Sequence, residues 1–272
     1  MKYKALSDLT FADDYMFCKV LQRNMDLTKE ILEVILEREI TKIDLAAKQE
    51  VIDPFLDSKS VRFDIYLKGD DEIYDVEMQT TNKADLILRS RYYLSANDLD
   101  CLKKGEKYQK LPKSFIIFIC TFDPFDMGYN KYVSEERLFG NEHDITALVK
   151  YDAKYQKIYL NASTILSDND SLSNFLNYVN NSKVCDELTS KLNSEVLDLQ
   201  HNVKEAKTYM FLQEKYDYYF EKGIGQGKIE KTQEFAIKLL KETPQFSLEK
   251  IADLTSLPLD EIKELQKSLQ SK

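Results

Sequence analysis

Two alternating stretches separated by a short turn constrain this chain more than any other feature. In VRFDIYLK, Val61, Phe63, Ile65 and Leu67 fall on one side; Arg62, Asp64, Tyr66 and Lys68 fall on the other. GDDE follows, a glycine and acids of the kind that favour turns. EIYDVEMQT then alternates again, with Tyr74, Val76, Met78 and Thr80 opposed to Asp75, Glu77 and Gln79. A period of two is the period of a strand. The pattern predicts a β-hairpin over 61–80 with one mostly apolar and one mostly polar face. If the turn is centred on Asp70–Asp71, antiparallel pairing sets Asp64 opposite Glu77 and Arg62 opposite Gln79. Directly opposed Cβ atoms lie roughly 4.5–5.5 Å apart.

Two like charges at that separation are destabilising unless something offsets them. A divalent cation would do so, since Mg²⁺ binds through one or two carboxylates and keeps several waters. A metal on Asp64 and Glu77 can polarise a phosphodiester oxygen and lower the pKa of an attacking water. Gln79 shares their face and can orient a water or a phosphate oxygen, but it is no general base. The plainer alternative is a solvated polar face, neutralised by Lys59, Arg62 and Lys68. On that face Asp75 reads as a solvated strand residue.

The rest of the chain frames the hairpin. Residues 7–40 read as two helices, started by Ser7 or Thr10 and then by Thr28. Asp13 or Asp14 could add an acid near the metal, or could simply favour the helix dipole. A helix over 84–104 carries Leu86, Leu88, Tyr92, Tyr93, Ala96 and Leu99. Arg89 and Tyr93, four apart, share a face and could hold a phosphate. The alternative gives Arg89 a neighbouring carboxylate and Tyr93 a place in the core. SFIIFICTF (114–122) reads as a strand buried on both faces, with Cys120 in the core. Residues 123–152 read as irregular, and KIYLNA (157–162) as a short strand. From 168 onward the pattern is helical. The near-heptads over 184–222 either pair two copies or pack on the chain's own core. Gly223–Gly225–Gly227 reads as a hinge; with no strand before it, a phosphate loop is rejected. Two short helices near 247–254 and 259–269 resemble a helix-turn-helix. Their acids, Asp260, Glu261 and Glu264, favour a packing or protein-interaction tail over entry into a DNA groove.

Composition narrows the function classes. A formal net charge of −9 excludes gripping nucleic acid by bulk charge, so any such contact is local or metal-mediated. Four dispersed cysteines without a CxxC pair argue against zinc and for reduced thiols in a cytoplasmic protein. The N-terminal MKYKALSDLTFADDY lacks an apolar segment, and no stretch is long enough to span a membrane. His143 and His201 are isolated, which disfavours histidine chemistry.

The acid–(x)12–E-x-Q pattern across the hairpin, followed by LRSRYYLS, resembles the PD-(D/E)XK nuclease superfamily. With LTFADDYMFCKVL before it and KYDYYFEKGIGQGK after it, the ordered set resembles, more narrowly, the recombination-promoting nuclease and transposase family. The resemblance implies an α/β, restriction-endonuclease-like core: a mixed sheet flanked by helices, αβββαβ, with a C-terminal helical extension. Expected domains are 1–183 for the nuclease-like part, 184–222 for a long helical segment and 223–272 for a helical tail. The implied activity is Mg²⁺- or Mn²⁺-dependent endonucleolytic cleavage of DNA in recombination or mobile-element functions. Asp64, Glu77 and Gln79 would be catalytic, with Asp64, Glu77 and Asp14 on the metal. Arg62, Arg89, Arg91 and Tyr93 would contact substrate, and the C-terminal helices could join a homodimer. Gln79 stands where the superfamily's name shows Lys, removing a fixed cation from the scissile phosphate. That departure and the charge of −9 keep a rival open: a catalytically inactive nuclease fold acting as a DNA-binding or protein-interaction module.

Overall fold

The computed structural model describes residues 3–47, 51–52, 61–69, 71–82, 84–136, 154–164 and 170–270. The elements run α1 (Asp14–Arg23), α2 (Met25–Leu36), β1 (Asp44–Ala47), β2 (Val51–Ile52), β3 (Val61–Arg62), β4 (Ile65–Lys68), β5 (Glu72–Gln79) and α3 (Leu86–Cys101). Then come β6 (Lys113–Cys120), β7 (Lys131–Ser134), β8 (Tyr155–Asn161), α4 (Ser171–Asn181), α5 (Glu187–His201), α6 (Val203–Glu242), α7 (Leu248–Thr255) and α8 (Leu259–Gln270). Six strands form one mixed sheet in the order β1-β4-β5-β6-β8-β7. β4 runs antiparallel to both β1 and β5, and β6 runs parallel to β5 and to β8. With α3 as the crossover from β5 to β6, this is the expected α/β arrangement of a mixed sheet flanked by helices.

The hairpin register is the one the turn predicts: Ile65 pairs with Val76, Tyr66 with Asp75, and Lys68 with Ile73. The first strand, however, is not continuous. β3 pairs with β2 in a separate two-stranded ribbon, Val51 with Arg62, so Arg62 is not a ladder partner of Gln79. The chain breaks at Phe63–Asp64 because the Asp64 N–H donates to the Glu77 side chain, at 2.9 Å, rather than to a ladder carbonyl.

The alternative of a solvated polar face, with Asp75 as a solvated strand residue, does not hold. Tyr66, Asp75 and Glu77 are all buried. α3 covers that face with a mixed side: Leu86, Ser90, Ala96 and Asn97 are buried whereas Ile87, Leu88 and Leu99 are exposed. β6 is buried on both sides as its apolar run predicts, and Cys120 lies in the core with Phe118, Ile116 and Tyr159. Burial pushes the Cys120 thiol up to about 12.

Other boundaries differ from the sequence reading for local reasons. α2 begins eleven residues into the α1–α2 region, at Met25, because Asn24 accepts the Leu27 N–H at 3.1 Å. Thr28 is instead buried, its hydroxyl bonded to the carbonyls of Leu21 and Asn24. Neither Ser7 nor Thr10 caps α1; Thr10 donates its N–H and its hydroxyl to Asp13, which precedes the helix. Replacing Asn24 with Ala should cost about 1 kcal/mol through the lost cap. That is a fall in melting temperature of about 2–4 °C, and Asn24→Ser should restore most of it in a thermal melt.

The segment read as irregular contains β7, an edge strand paired with β8; residues 137–153, His143 among them, lie outside the described residues. α5 buries Leu188, Leu192, Val196 and Leu199. The Gly223–Gly227 segment is no hinge, for α6 continues through it. Three helical glycines cost about 1 kcal/mol each relative to alanine, and the flanking Glu, Lys and Gln residues sustain the helix. Chain packing divides into two compact units, Lys4–Ala206 and Met1–Tyr3 with Lys207–Lys272. In the second, Ala236, Ile251 and Ile262 form a small core with Leu239, Leu240, Leu248 and Leu265. Ser247 caps α7 through the Lys250 N–H, as its position suggests.

Candidate functional site

The acids expected to meet do converge on one side of the sheet. Asp64, in the break before β4, takes the Met78 N–H on Oδ2 at 3.1 Å and gives its own N–H to Glu77 Oε1. Each residue's backbone or neighbour thus clamps the other's carboxylate across the hairpin. Asp14, the first residue of α1, supplies a third acid. Its carboxylate, that of Asp64 and the Cys18 sulfur all lie within 4.8 Å of one another. Cys18 sits 3.8 Å from Asp14 Oδ1 and 3.6 Å from the Asp64 carbonyl. Asp13 turns elsewhere, into an ion pair with Lys4 at 2.8 Å.

From α3, Arg89 reaches over this cluster. It donates to Gln79 Oε1 at 2.8 Å and to the Tyr93 hydroxyl at 3.3 Å, and lies 3.8 Å from Glu77 Oε2. Its guanidinium stacks over the Tyr93 and Phe118 rings, 5.6 Å from each centroid. Tyr93 packs edge-on against Phe63, so the residue is both core and site. Arg91 is exposed; burial first and the Arg91 charge second lower the pKa of Lys157 on β8. The side chain of Arg62 lies outside the described residues. His201 is exposed on α5, against the Leu197 carbonyl.

Electrostatics set this cluster apart. Burial, and then the Asp64 charge, push the Glu77 carboxyl well above the usual carboxylate range. The Asp64 N–H and Arg89 pull it back, while Asp14 adds to the rise. Asp75, two residues away on the same face, is pushed up by burial and then by the charges of Glu77 and Asp64. Both of its oxygens are buried, and a hydrogen bond with the neighbouring Glu77 carboxyl adds to the rise. Sequence reasoning missed Asp75 as a buried group. It also missed Cys18, although its four-residue spacing from Asp14 puts both on one helix face.

Removing the Asp75 charge should therefore stabilise the fold. A carboxyl with a raised folded pKa binds more protons folded than unfolded, so its contribution to stability falls as pH rises above the unfolded value near 3.9. Asp75→Asn should raise stability by on the order of 1 kcal/mol at pH 8, or about 2–4 °C. The gain should shrink toward pH 4; thermal melts across that range would read it, and a lower melting temperature at pH 8 would contradict it.

An excess of acid over base, in a set rich in oxygen donors, fits a hard divalent cation. Asp14, Asp64 and Glu77 would hold it, with the Cys18 thiol left beside their oxygens. A cavity away from this cluster is lined by Glu30, Glu33, Glu37, Arg38, Lys131 and Asp170. Its acids suit neither phosphate nor DNA. No described helix is long and apolar enough to cross a membrane.

No curated protein and no solved structure matches the chain. A family model for PD-(D/E)XK nuclease family transposases matches residues 11–223, a span that contains α1, the hairpin and α3. The chain belongs to the PD-(D/E)XK nuclease family of transposases, with its restriction-endonuclease-like α/β fold.

Proposed function

We propose that this protein is a metal-dependent DNA endonuclease whose site is Asp14, Asp64, Glu77 and Gln79, completed by Arg89 and Tyr93. The observation that carries the reading is the gathering of three acids from α1, the hairpin break and β5: Asp14 lies beside Asp64, Asp64 is clamped to Glu77, and Arg89 stands 3.8 Å from Glu77. A bound Mg²⁺ or Mn²⁺ would supply Lewis-acid polarisation of a phosphodiester and a water of lowered pKa.

The chain's own residues do the rest. The Asp64 and Met78 N–H groups fix both carboxylates in place. Gln79 accepts from Arg89 through Oε1, so its amide N–H₂ is the group that would donate to a phosphate oxygen or an attacking water. Arg89 holds the cationic position next to Gln79, offsetting in part the missing superfamily Lys, and its planar fork suits a phosphate. The Tyr93 and Phe118 rings, centred 5.6 Å from it, hold that planar fork in position.

The test is nicking of supercoiled plasmid in Mg²⁺ and Mn²⁺ by the wild type and by Asp64→Asn. Relaxed circles with the wild type alone support the reading. The −9 charge and Gln79 favour the rival of an inactive module that binds DNA or protein. That rival requires no cleavage from the wild type in either metal, and no Mn²⁺ heat of binding that Asp64→Asn abolishes.

A further inference from the structure

We propose that two copies of this chain pair antiparallel through residues 213–232 of α6, a partnership separate from the nuclease reading. The segment is hydrophobic in the wrong place. Tyr216, Tyr218, Tyr219, Phe220, Ile224 and Ile229 are all exposed, Tyr218 by 61% and Phe220 by 54%. At 3.6 residues per turn they are spread among charged residues around the helix, and large apolar side chains clustered on an exposed segment mark an interaction surface.

One face carries a matched pair of shapes. Tyr216, Phe220, Gly223 and Gly227 recur at spacings of four, three and four, so they share a stripe. Its first half presents aromatic rings. Its second half is bare, since a Cβ added at Gly223 or Gly227 would meet nothing within 4 Å. Parallel pairing would set ring on ring and leave the glycines facing a gap. Antiparallel pairing about a two-fold between Lys222 and Gly223 lays Phe220 of each copy over the bare Gly223–Gly227 stretch of the other.

The charges choose the same direction and register. About that two-fold, Glu214 comes level with Lys231, Lys215 with Glu230, and Asp217 with Lys228 of the other copy. The sequence EKYD thus meets KIEK read backwards, with Tyr216 level with Ile229. Parallel pairing would set each of these charges beside its own kind. α6 also holds eight lysines against seven carboxylates, so two copies meet here without the repulsion carried by a chain of net charge −9.

The exposed parts of Tyr216, Tyr219 and Phe220, 40–56% of each residue, supply one share of the about 800 Å² per partner that a stable interface removes. The remainder must come from the stems of the flanking lysines over a contact about 27 Å long.

Sedimentation equilibrium of the full chain tests this. The expected result is a reversible dimer, weakened at least 100-fold by Phe220→Glu with the far-ultraviolet circular dichroism unchanged, because the position is exposed. Lys215→Glu should weaken the dimer, and adding Glu230→Lys to it should restore wild-type association, since the swapped pair is again complementary only in the antiparallel register. A monomer at all concentrations overturns the proposal. So does a dimer indifferent to Phe220→Glu, or a double variant no better than Lys215→Glu alone.

Discussion

Glu77→Gln is expected to lower plasmid nicking at least 1,000-fold while leaving the protein as stable as the wild type or more so. A fall of that size is about 4 kcal/mol of transition-state stabilisation. It is the scale at which single charged or polar groups act on a developing phosphoryl charge. Gln retains an oxygen that can accept the Asp64 N–H, so the hairpin clamp persists. It discards a charge whose burial the fold disfavours, since Glu77 is 2% exposed and Asp64 and Asp14 both oppose its ionisation. Loss of activity together with an unchanged or raised melting temperature separates chemistry from unfolding. Asp64→Asn and Asp14→Asn should follow, with Asp14 the mildest because it is the most exposed of the three. Wild-type cleavage by Glu77→Gln would remove this residue from the chemistry.

Arg89→Ala carries the largest expected loss of stability, about 3 kcal/mol and roughly 10 °C in melting temperature. The guanidinium is the cation nearest the buried Glu77 among the described residues, and its side chain is itself 21% exposed. Removing it strands a carboxylate in a low-dielectric setting and strips the stacked partner from Tyr93 and Phe118. The 3.8 Å separation from Glu77 argues for the lower end of the range for broken buried pairs. A double-mutant cycle isolates the electrostatic part. Glu77→Gln introduced into Arg89→Ala should recover more than 1 kcal/mol, because the charge left stranded is gone. Arg89→Lys should retain much of the stability but lose the simultaneous grip on Gln79 and Tyr93. No recovery in the double variant would mean that packing alone explains the loss.

The hairpin was readable because its turn sets the register, and the register brings Asp64 to Glu77. What the alternation could not say is that both faces are dry. A period of two tells that two faces differ in chemistry, and the wetter reading is the commoner one for an antiparallel pair. The deciding element is α3, which buries Ser90 and Asn97 along with Leu86 and Ala96 while Ile87, Leu88 and Leu99 stay exposed. A helix with so mixed an inner face gives no clear periodicity, and the burial of Asp75 was lost with it. Arg89 and Tyr93 were legible as a pair four residues apart, yet their partners were not, since Gln79 and Phe118 arrive from two different strands. β7 was missed because a short edge strand with half-exposed residues carries no clear alternation. The glycines of α6 misled because a breaker's cost of about 1 kcal/mol is a preference and not a prohibition.

The position of β5 has a kinetic consequence. Its pairing with β4 closes a tight turn, whereas its pairing with β6 joins Glu72 to Lys113 across the whole of α3. Local contacts form early, and the parallel pairing waits on a long loop closure. A nascent or truncated chain that stops short of β6 holds Asp64 and Glu77 on a hairpin in open water, without the crossover helix clamped down above them. The burial that raises the Asp75 and Glu77 carboxyls is therefore complete only once β6 has joined the sheet.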